Sequence, residues 1–208
     1  MLKLNLGCGA QVVDGWVNVD YALGARLAST PWLGAAVRKL GLFRMEWDRR
    51  IHIHDLTKPL PWAEGSVDAC YSSHTLEHLA REDGHRLARE VFRVLKPGGV
   101  LRVVVPDLRA IVQRYVVGEL RADRMLEELG TLYGTDKEGW RRRLSPLVEV
   151  PHRCMYDTPT MIQLLTSVGF DAESRAAFES SISEIAAIEI PSRTLAAVIV
   201  EGKKPSRV

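Results

Sequence analysis

A chain of 208 residues, 46% of them hydrophobic, is long enough to build one core that buries roughly 70% of the surface its unfolded form exposes. Its 28 basic and 26 acidic residues cancel to a net charge of +2, which excludes a global field of the kind that draws in nucleic acid or a membrane. Cys8, Cys70 and Cys154, an odd set without a C-x-x-C pair, point to free thiols in a reducing, cytoplasmic compartment; no apolar run approaches the ~18 residues of a membrane span, and "MLKLNLGCG" lacks a secretory apolar stretch.

In chain order, "LKLNL" at 2–6 alternates apolar and polar residues and stops at Gly7 and Gly9, and "GWVNVD" at 15–20 stops at Asp20, so both predict strands. Residues 22–47 predict one or two short helices, "RRIHIHD" a third strand ending at Asp55, and "LTKPLPWAEGS" a loop. "VDACYSS" at 67–73 predicts a fourth strand, followed by a helical turn through "HTLEHLA" and a break at Asp83-Gly84. Leu87, Val91, Val94 and Leu95 recur at helical spacing until Pro97-Gly98-Gly99 stops them, and "VLRVVV" at 100–105 is a fifth strand. Pro106 suits the first position of a helix whose apolar face carries Leu108, Ile111, Val112, Tyr115 and Val116. Residues 118–150 are arginine-rich and weakly periodic, which marks an insertion. Thr158-Pro159 opens another helix that Gly169 closes; one more strand is expected within 170–190, and "LAAVIVEG" at 195–202 is the last.

Strands alternating with helices predict an α/β fold, an open parallel sheet covered on both faces, with ligands beyond the carboxyl ends of its strands. Five strand ends carry small or polar residues: Gly7-Cys8-Gly9, Asp20, Asp55-Leu56, Ser72-Ser73-His74 and Pro106-Asp107. Glycines at the first turn let a ligand lie on bare backbone, and an acid ending the second strand accepts ribose hydroxyls, so an adenosine is the natural ligand. The dinucleotide pattern G-x-G-x-x-G fails because Val12 stands at its third glycine, and Asp20 follows Gly9 too soon for a full intervening helix. Without that helix, phosphate anchoring is weak, which favours the phosphate-free S-adenosylmethionine.

"LNLGCG", "GWVNVD", "HDLTKPLPWAEGSVDACYSSHTLEHL", "REVFRVLKPGGVLRVVVPDL" and "HRCMYDTPTMIQLLTSVGF" resemble the successive blocks of the class I S-adenosylmethionine-dependent methyltransferases, especially a small bacterial branch that accompanies surface-polysaccharide enzymes. The resemblance implies a Rossmann-like open twisted sheet of seven strands, mostly parallel with a reversed last strand, as a single domain over 1–208. It places Gly7, Cys8 and Gly9 under the cofactor, Asp20 on its ribose, Asp55 with Leu56 at its adenine, and Ser73 and His74 nearby. Many members carry an acid where this chain has Asn5 and a glycine where it has Gln11; Asn5 can still hydrogen-bond the amino-acid end of the cofactor. The first strand begins at once, so residues 22–47 and 118–150 are the expected lid or substrate-side insertions.

His74, Glu77 and His78 also spell H-x-x-E-H, an inverted zinc-peptidase motif, but that reading requires both histidines on one helix and His74 ends a strand. The resemblance accounts for the same string, and no metal is expected. Acceptor deprotonation would suit an imidazole, which makes His74, His78 and His152 the candidate bases. Asp107 reads better as a helix-start acid than as an acceptor contact. Arg141, Arg142 and Arg143, with Arg121, Arg124 and Arg153, would favour an anionic acceptor if they face the cleft. The expected function is methyl transfer to a hydroxyl of a small molecule or glycan precursor; the alternative is a non-catalytic S-adenosylmethionine-binding protein on the same fold.

Overall fold

The computed structural model describes residues 1–30, 47–132 and 150–206. Seven strands, β1 (Lys3–Leu6), β2 (Val17–Asp20), β3 (His52–Ile53), β4 (Val67–Ser73), β5 (Leu95–Pro106), β6 (Asp171–Ser174) and β7 (Ala197–Lys203), form one sheet in the order β3-β2-β1-β4-β5-β7-β6. The first five run parallel, while β7 is antiparallel to both β5 and β6, as expected for a reversed last strand. The chain leaves β1 toward β2 and β3 and then returns to the other side of β1 as β4, so the switch point of the sheet lies between β1 and β4.

Both faces of the central strands are covered, and alternation along each strand supplies two cores. On one face Cys70, Leu101 and Val103 pack with Leu87, Val91 and Val94 of α2 (Arg81–Val94), and with Met161, Leu164 and Leu165 of a later helix, Thr158–Val168. Tyr71, Val104 and Ile199 point to the other face, against Trp16, Ile182, Ile185 and Ile188. Residues 175–194, which connect β6 to β7, therefore form a cover over that second face, and their register is fixed by a buried charge cluster. Arg102 of β5, fully buried, places Nε 2.7 Å from Glu189 Oε1 and Nη1 3.0 Å from Glu201 Oε1, and donates to the carbonyls of Glu179 and Ala176 at 2.8 and 2.9 Å.

Several local boundaries differ from the sequence expectation. α2 runs unbroken through Gly84, because Tyr156 Oη crosses there and would lie 3.1 Å from an added Cβ. Pro97-Gly98-Gly99 does not separate helix from strand; it sits inside β5, where pairing with β4 jumps register between Val67 and Ala69. Pro106 ends β5 instead of starting a helix, and Asp107 caps the helix that follows, accepting from Arg109 N–H at 2.9 Å. Asp157, not Thr158, caps Thr158–Val168 through Thr160 N–H. Of the expected insertions, Leu23–Ala28 forms α1 and residues 118–132 form short turns of helix; 31–46 and 133–149, with Arg141, Arg142 and Arg143, lie outside the described residues.

Candidate active site

The loop after β1 passes under the switch point as turns, without a helix. Gly7 and Gly9 have φ of +75° and +58°, the left-handed region in which a Cβ is strained. They need glycine for different reasons. A Cβ on Gly7 would stand 2.0 Å from Thr75 Oγ1, so β1 and β4 approach one another there too closely for any side chain. Among the described residues nothing lies within 4 Å of the place where a Gly9 Cβ would be, so its bare surface faces open space there.

The loop amides are already engaged. Gly7 and Cys8 N–H donate to Val19 O at 2.9 and 3.0 Å, and Gly9 N–H donates to Asp20 Oδ2 at 2.7 Å. An anion cradle requires converging free N–H groups, and these three are turned to Val19 O and Asp20, with the Asp20 carboxylate beside them, so they form no phosphate nest. Asp20, nine-tenths buried at the end of β2, also takes Ala22 N–H on Oδ1 at 2.7 Å, which locks its carboxylate beside Gly9. Asp55 accepts from Thr57 N–H and Oγ1 at 2.9 and 2.8 Å; burial pushes its carboxyl up, but these donors outweigh it and hold it below the usual range. Leu56 beside it is buried in the main core.

Asn5 is buried, and its amide donates to Asn18 Oδ1 at 3.0 Å, with Gln11 O at 3.5 Å. Asn18 in turn accepts from Val13 N–H and donates to Val13 O, so the two amides pin the loop from below. Gln11 ties the same loop to the cover segment, donating from Nε2 to Ile188 O at 2.9 Å. Cys8 is buried, and burial first, then the Asp20 charge, push its thiol up to about 12.

Ser73 and His74 end β4. Ser73 is buried, whereas His74 turns the chain with φ +52° and sets Nδ1 3.3 Å from Glu77 Oε1 and Nε2 3.0 Å from Arg193 O. Both ring nitrogens thus face acceptors; burial lowers its pKa, but Glu77 and the Arg193 carbonyl outweigh that and raise it. The ring braces the cover segment against the end of β4. His74 and His78 do not share a helix, because only Leu76–His78 is helical and it is a single 3-10 turn. The inverted-zincin arrangement is therefore not formed.

Residues 150–157 lie along this edge. Arg153 and Cys154 N–H both donate to Glu77 O, at 2.6 and 3.1 Å, and Leu108 N–H donates to Tyr156 O at 2.9 Å. These bonds bring His152 to His78, ring centroids 4.9 Å apart. Burial lowers the His152 pKa, with Glu77 opposing it. Arg121 and Arg124 are exposed and paired with Asp123 and Glu127, as solvated surface pairs are. Sequence reasoning missed Thr75 and Arg193 and read Gln11 only as a replaced glycine, because their partners are far away in the chain; Gly7 signalled that something must approach it.

The architecture defines a Rossmann-like α/β protein whose switch point, where ligands of such sheets bind, lies between β1 and β4. Residues 4–103 match a family model described as a methyltransferase domain. A protein named as an uncharacterised methyltransferase from Synechocystis sp. is 27% identical over 105 residues, 49% of this chain and 50% of its own. One from Mycobacterium sp. (strain KMS) is 51% identical over 41 residues, 20% of this chain and 16% of its own. This chain thus spans half the length of the first relative and about a sixth of the second. In fold it is similar to an S-adenosylmethionine-dependent methyltransferase from Methanosarcina mazei, with a TM-score of 0.55 at 19% identity over 99% of this chain and 93% of that one. Residues 4–103 are thus similar to a methyltransferase domain, and the chain shares its fold with that solved methyltransferase.

Proposed function

We propose that this chain catalyses methyl transfer from S-adenosylmethionine to a hydroxyl of a small molecule or glycan precursor. When bound, the cofactor supplies a methyl group already activated on its sulfonium, so the protein's work is alignment and control of the acceptor proton. The observation that carries the reading is Gly9: left-handed, bare, facing open space, and hydrogen-bonded to a carboxylate that ends the next strand. A nucleoside without phosphates fits that surface because the N–H groups of Gly7, Cys8 and Gly9 are already spent on Val19 O and Asp20.

In this reading Gly7, Cys8 and Gly9 lie under the cofactor, Asp20 takes the ribose hydroxyls, and Asp55 with Leu56 flanks the adenine. Ser73 and His74 close the methyl side. Asn5 acts from beneath the loop through Asn18. His78 and His152 are the acceptor-side imidazoles, whereas His74, with both nitrogens engaged, positions residues 185–194. The glycan part of the proposal rests on the resemblance of the sequence blocks to polysaccharide-associated methyltransferases. A small-molecule acceptor agrees with the similarly folded Burkholderia thailandensis 1,6-didemethyltoxoflavin-N1-methyltransferase, which matches at 14% identity and a TM-score of 0.50 over 98% of this chain and 71% of that one.

Calorimetric titration with S-adenosylhomocysteine tests the cofactor half. Binding at 100 times its Kd should stabilise the fold by about 2.7 kcal/mol, and Asp20→Ala should weaken it tenfold or more, about 1.4 kcal/mol. No thermal shift at millimolar ligand, or unchanged affinity in Asp20→Ala, would remove the assignment. Incorporation of radiolabelled methyl groups across hydroxylated acceptors tests the other half.

A further inference from the structure

One cluster at this edge is left unexplained by cofactor binding. Glu77 is fully buried, yet among the described residues neither of its carboxylate oxygens has a hydrogen-bond partner; His74 Nδ1, 3.3 Å from Oε1, is badly aligned for one. A buried carboxylate this poor in donors is costly, and His74 faces only Oε1, so the rest of the group can accept a cation. Two imidazoles point at the same place. One ligand atom each from Glu77, His78 and His152 lie within 4.8 Å of one another. His78 Nδ1 is buried and unpartnered among the described residues.

The His152 ring is prepared for such a role. Its Nδ1 lies 2.8 Å from Leu129 O, and a carbonyl only accepts, so Nδ1 carries the proton and Nε2 keeps its lone pair. A backbone carbonyl on the far nitrogen is the usual device that fixes the tautomer of a ligating histidine. Gly130 makes the seat: its φ is +66°, and a Cβ there would stand 2.5 Å from the ring. The two hydrogen bonds from Arg153 and Cys154 N–H to Glu77 O then fix the distance between the two halves of the cluster.

We propose that Glu77, His78 and His152 bind a divalent first-row transition ion of the zinc type, on the acceptor side of the methyl-transfer cleft. Two neutral imidazoles and one carboxylate suit such an ion better than magnesium or calcium, which prefer all-oxygen shells. Bond lengths of about 2.1 Å in a tetrahedral site put ligand atoms roughly 3.4 Å apart, within a side-chain adjustment of the spacing present. Three protein ligands leave a coordination position open, and an acceptor hydroxyl bound there would be acidified, its proton passing to solvent. This acceptor role rests on the methyl-transfer reading; the metal site itself does not.

Untagged, chelator-stripped protein titrated with zinc against a competing indicator should take up one equivalent. The cobalt(II) form should show the visible d–d bands of a low-coordinate N/O site. His152→Ala and His78→Ala should each weaken zinc binding roughly 100-fold, and Gly130→Ala, which displaces the His152 ring without removing a ligand, by about 10- to 100-fold. Stoichiometric binding retained in the His78→Ala/His152→Ala double variant, or wild-type binding no tighter than that variant's, would overturn the site. S-adenosylhomocysteine titrated into the same samples separates the two readings. Zinc uptake without nucleoside binding removes the acceptor role, and nucleoside binding without zinc uptake removes the metal site alone.

Discussion

Replacing Arg102 with methionine probes the charge cluster that fixes residues 175–194 against the sheet. The guanidinium is fully buried and makes four hydrogen bonds, to two carboxylates and two carbonyls. Methionine fills much of the volume but strands Glu189 and leaves Glu201 with only the Arg175 guanidinium, 3.8 Å away, as counter-charge; both carboxylates are 5% exposed or less. Their remaining donors are Phe178 N–H at 2.6 Å on Glu189, and Ser181 N–H at 3.0 Å with the Ser180 hydroxyl on Glu201. Breaking one partner out of a buried ion cluster costs about 3–5 kcal/mol, against a total stability of roughly 5–15 kcal/mol. For a chain of this size each kcal/mol lowers Tm by about 2–4 °C, so calorimetry should show a fall of roughly 6–20 °C. Adding Glu189→Gln and Glu201→Gln removes the stranded charges and should restore part of that loss. Because the same segment presents Ile188 O to Gln11 and Arg193 O to His74, S-adenosylhomocysteine affinity should fall with it. A Tm within about 2 °C of the parent, or a triple variant less stable than Arg102→Met alone, would refute the reasoning.

Gly7→Ala and Gly9→Ala should separate. The first forces a Cβ into Thr75 and should lower the yield of folded protein, whereas the second should cost only about 1–2 kcal/mol of backbone strain while weakening S-adenosylhomocysteine binding, read by thermal melting and calorimetry. Equal nucleoside affinity in Gly9→Ala would place the ligand elsewhere. Asp157→Ala deletes the cap of Thr158–Val168 and should lower stability by about 1 kcal/mol in urea unfolding, with Asp157→Ser close to the parent. Cys8, buried and with its thiol pushed up to about 12, should resist iodoacetamide at pH 8 in the native protein, with half-buried Cys154 labelled first by peptide mapping. Fast native labelling of Cys8 would mean that the loop opens.

The framework was legible because it depends on periodicity. Alternating residues in 2–6 and 15–20 and apolar runs in 67–73 and 100–105 mark strands, and the glycines and acids at their ends stand where β1 to β4 deliver them. Boundaries were lost where a tertiary contact overruled a local preference. Gly84 reads as a helix break, but in the fold it is the residue small enough to sit under Tyr156; Pro97-Gly98-Gly99 reads as a stop, but a register jump in β5 absorbs it. His74, Glu77 and His78 were visible as a string, yet the string implied the wrong grouping. His74 is held between Glu77 and the Arg193 carbonyl, and the imidazole that joins Glu77 and His78 is His152, far along the chain.

By itself the sequence determined the class of fold and the kind of cofactor, and brought glycines and acids to one edge of the sheet, because these follow from short-range pattern and the geometry of strand ends. Only the tertiary structure decided which side chains share a site. The meeting of Glu77 with His152 and of Arg102 with Glu189 depends on long-range packing, and on the high cost of leaving buried charges unpaired, neither of which a local stretch of residues encodes.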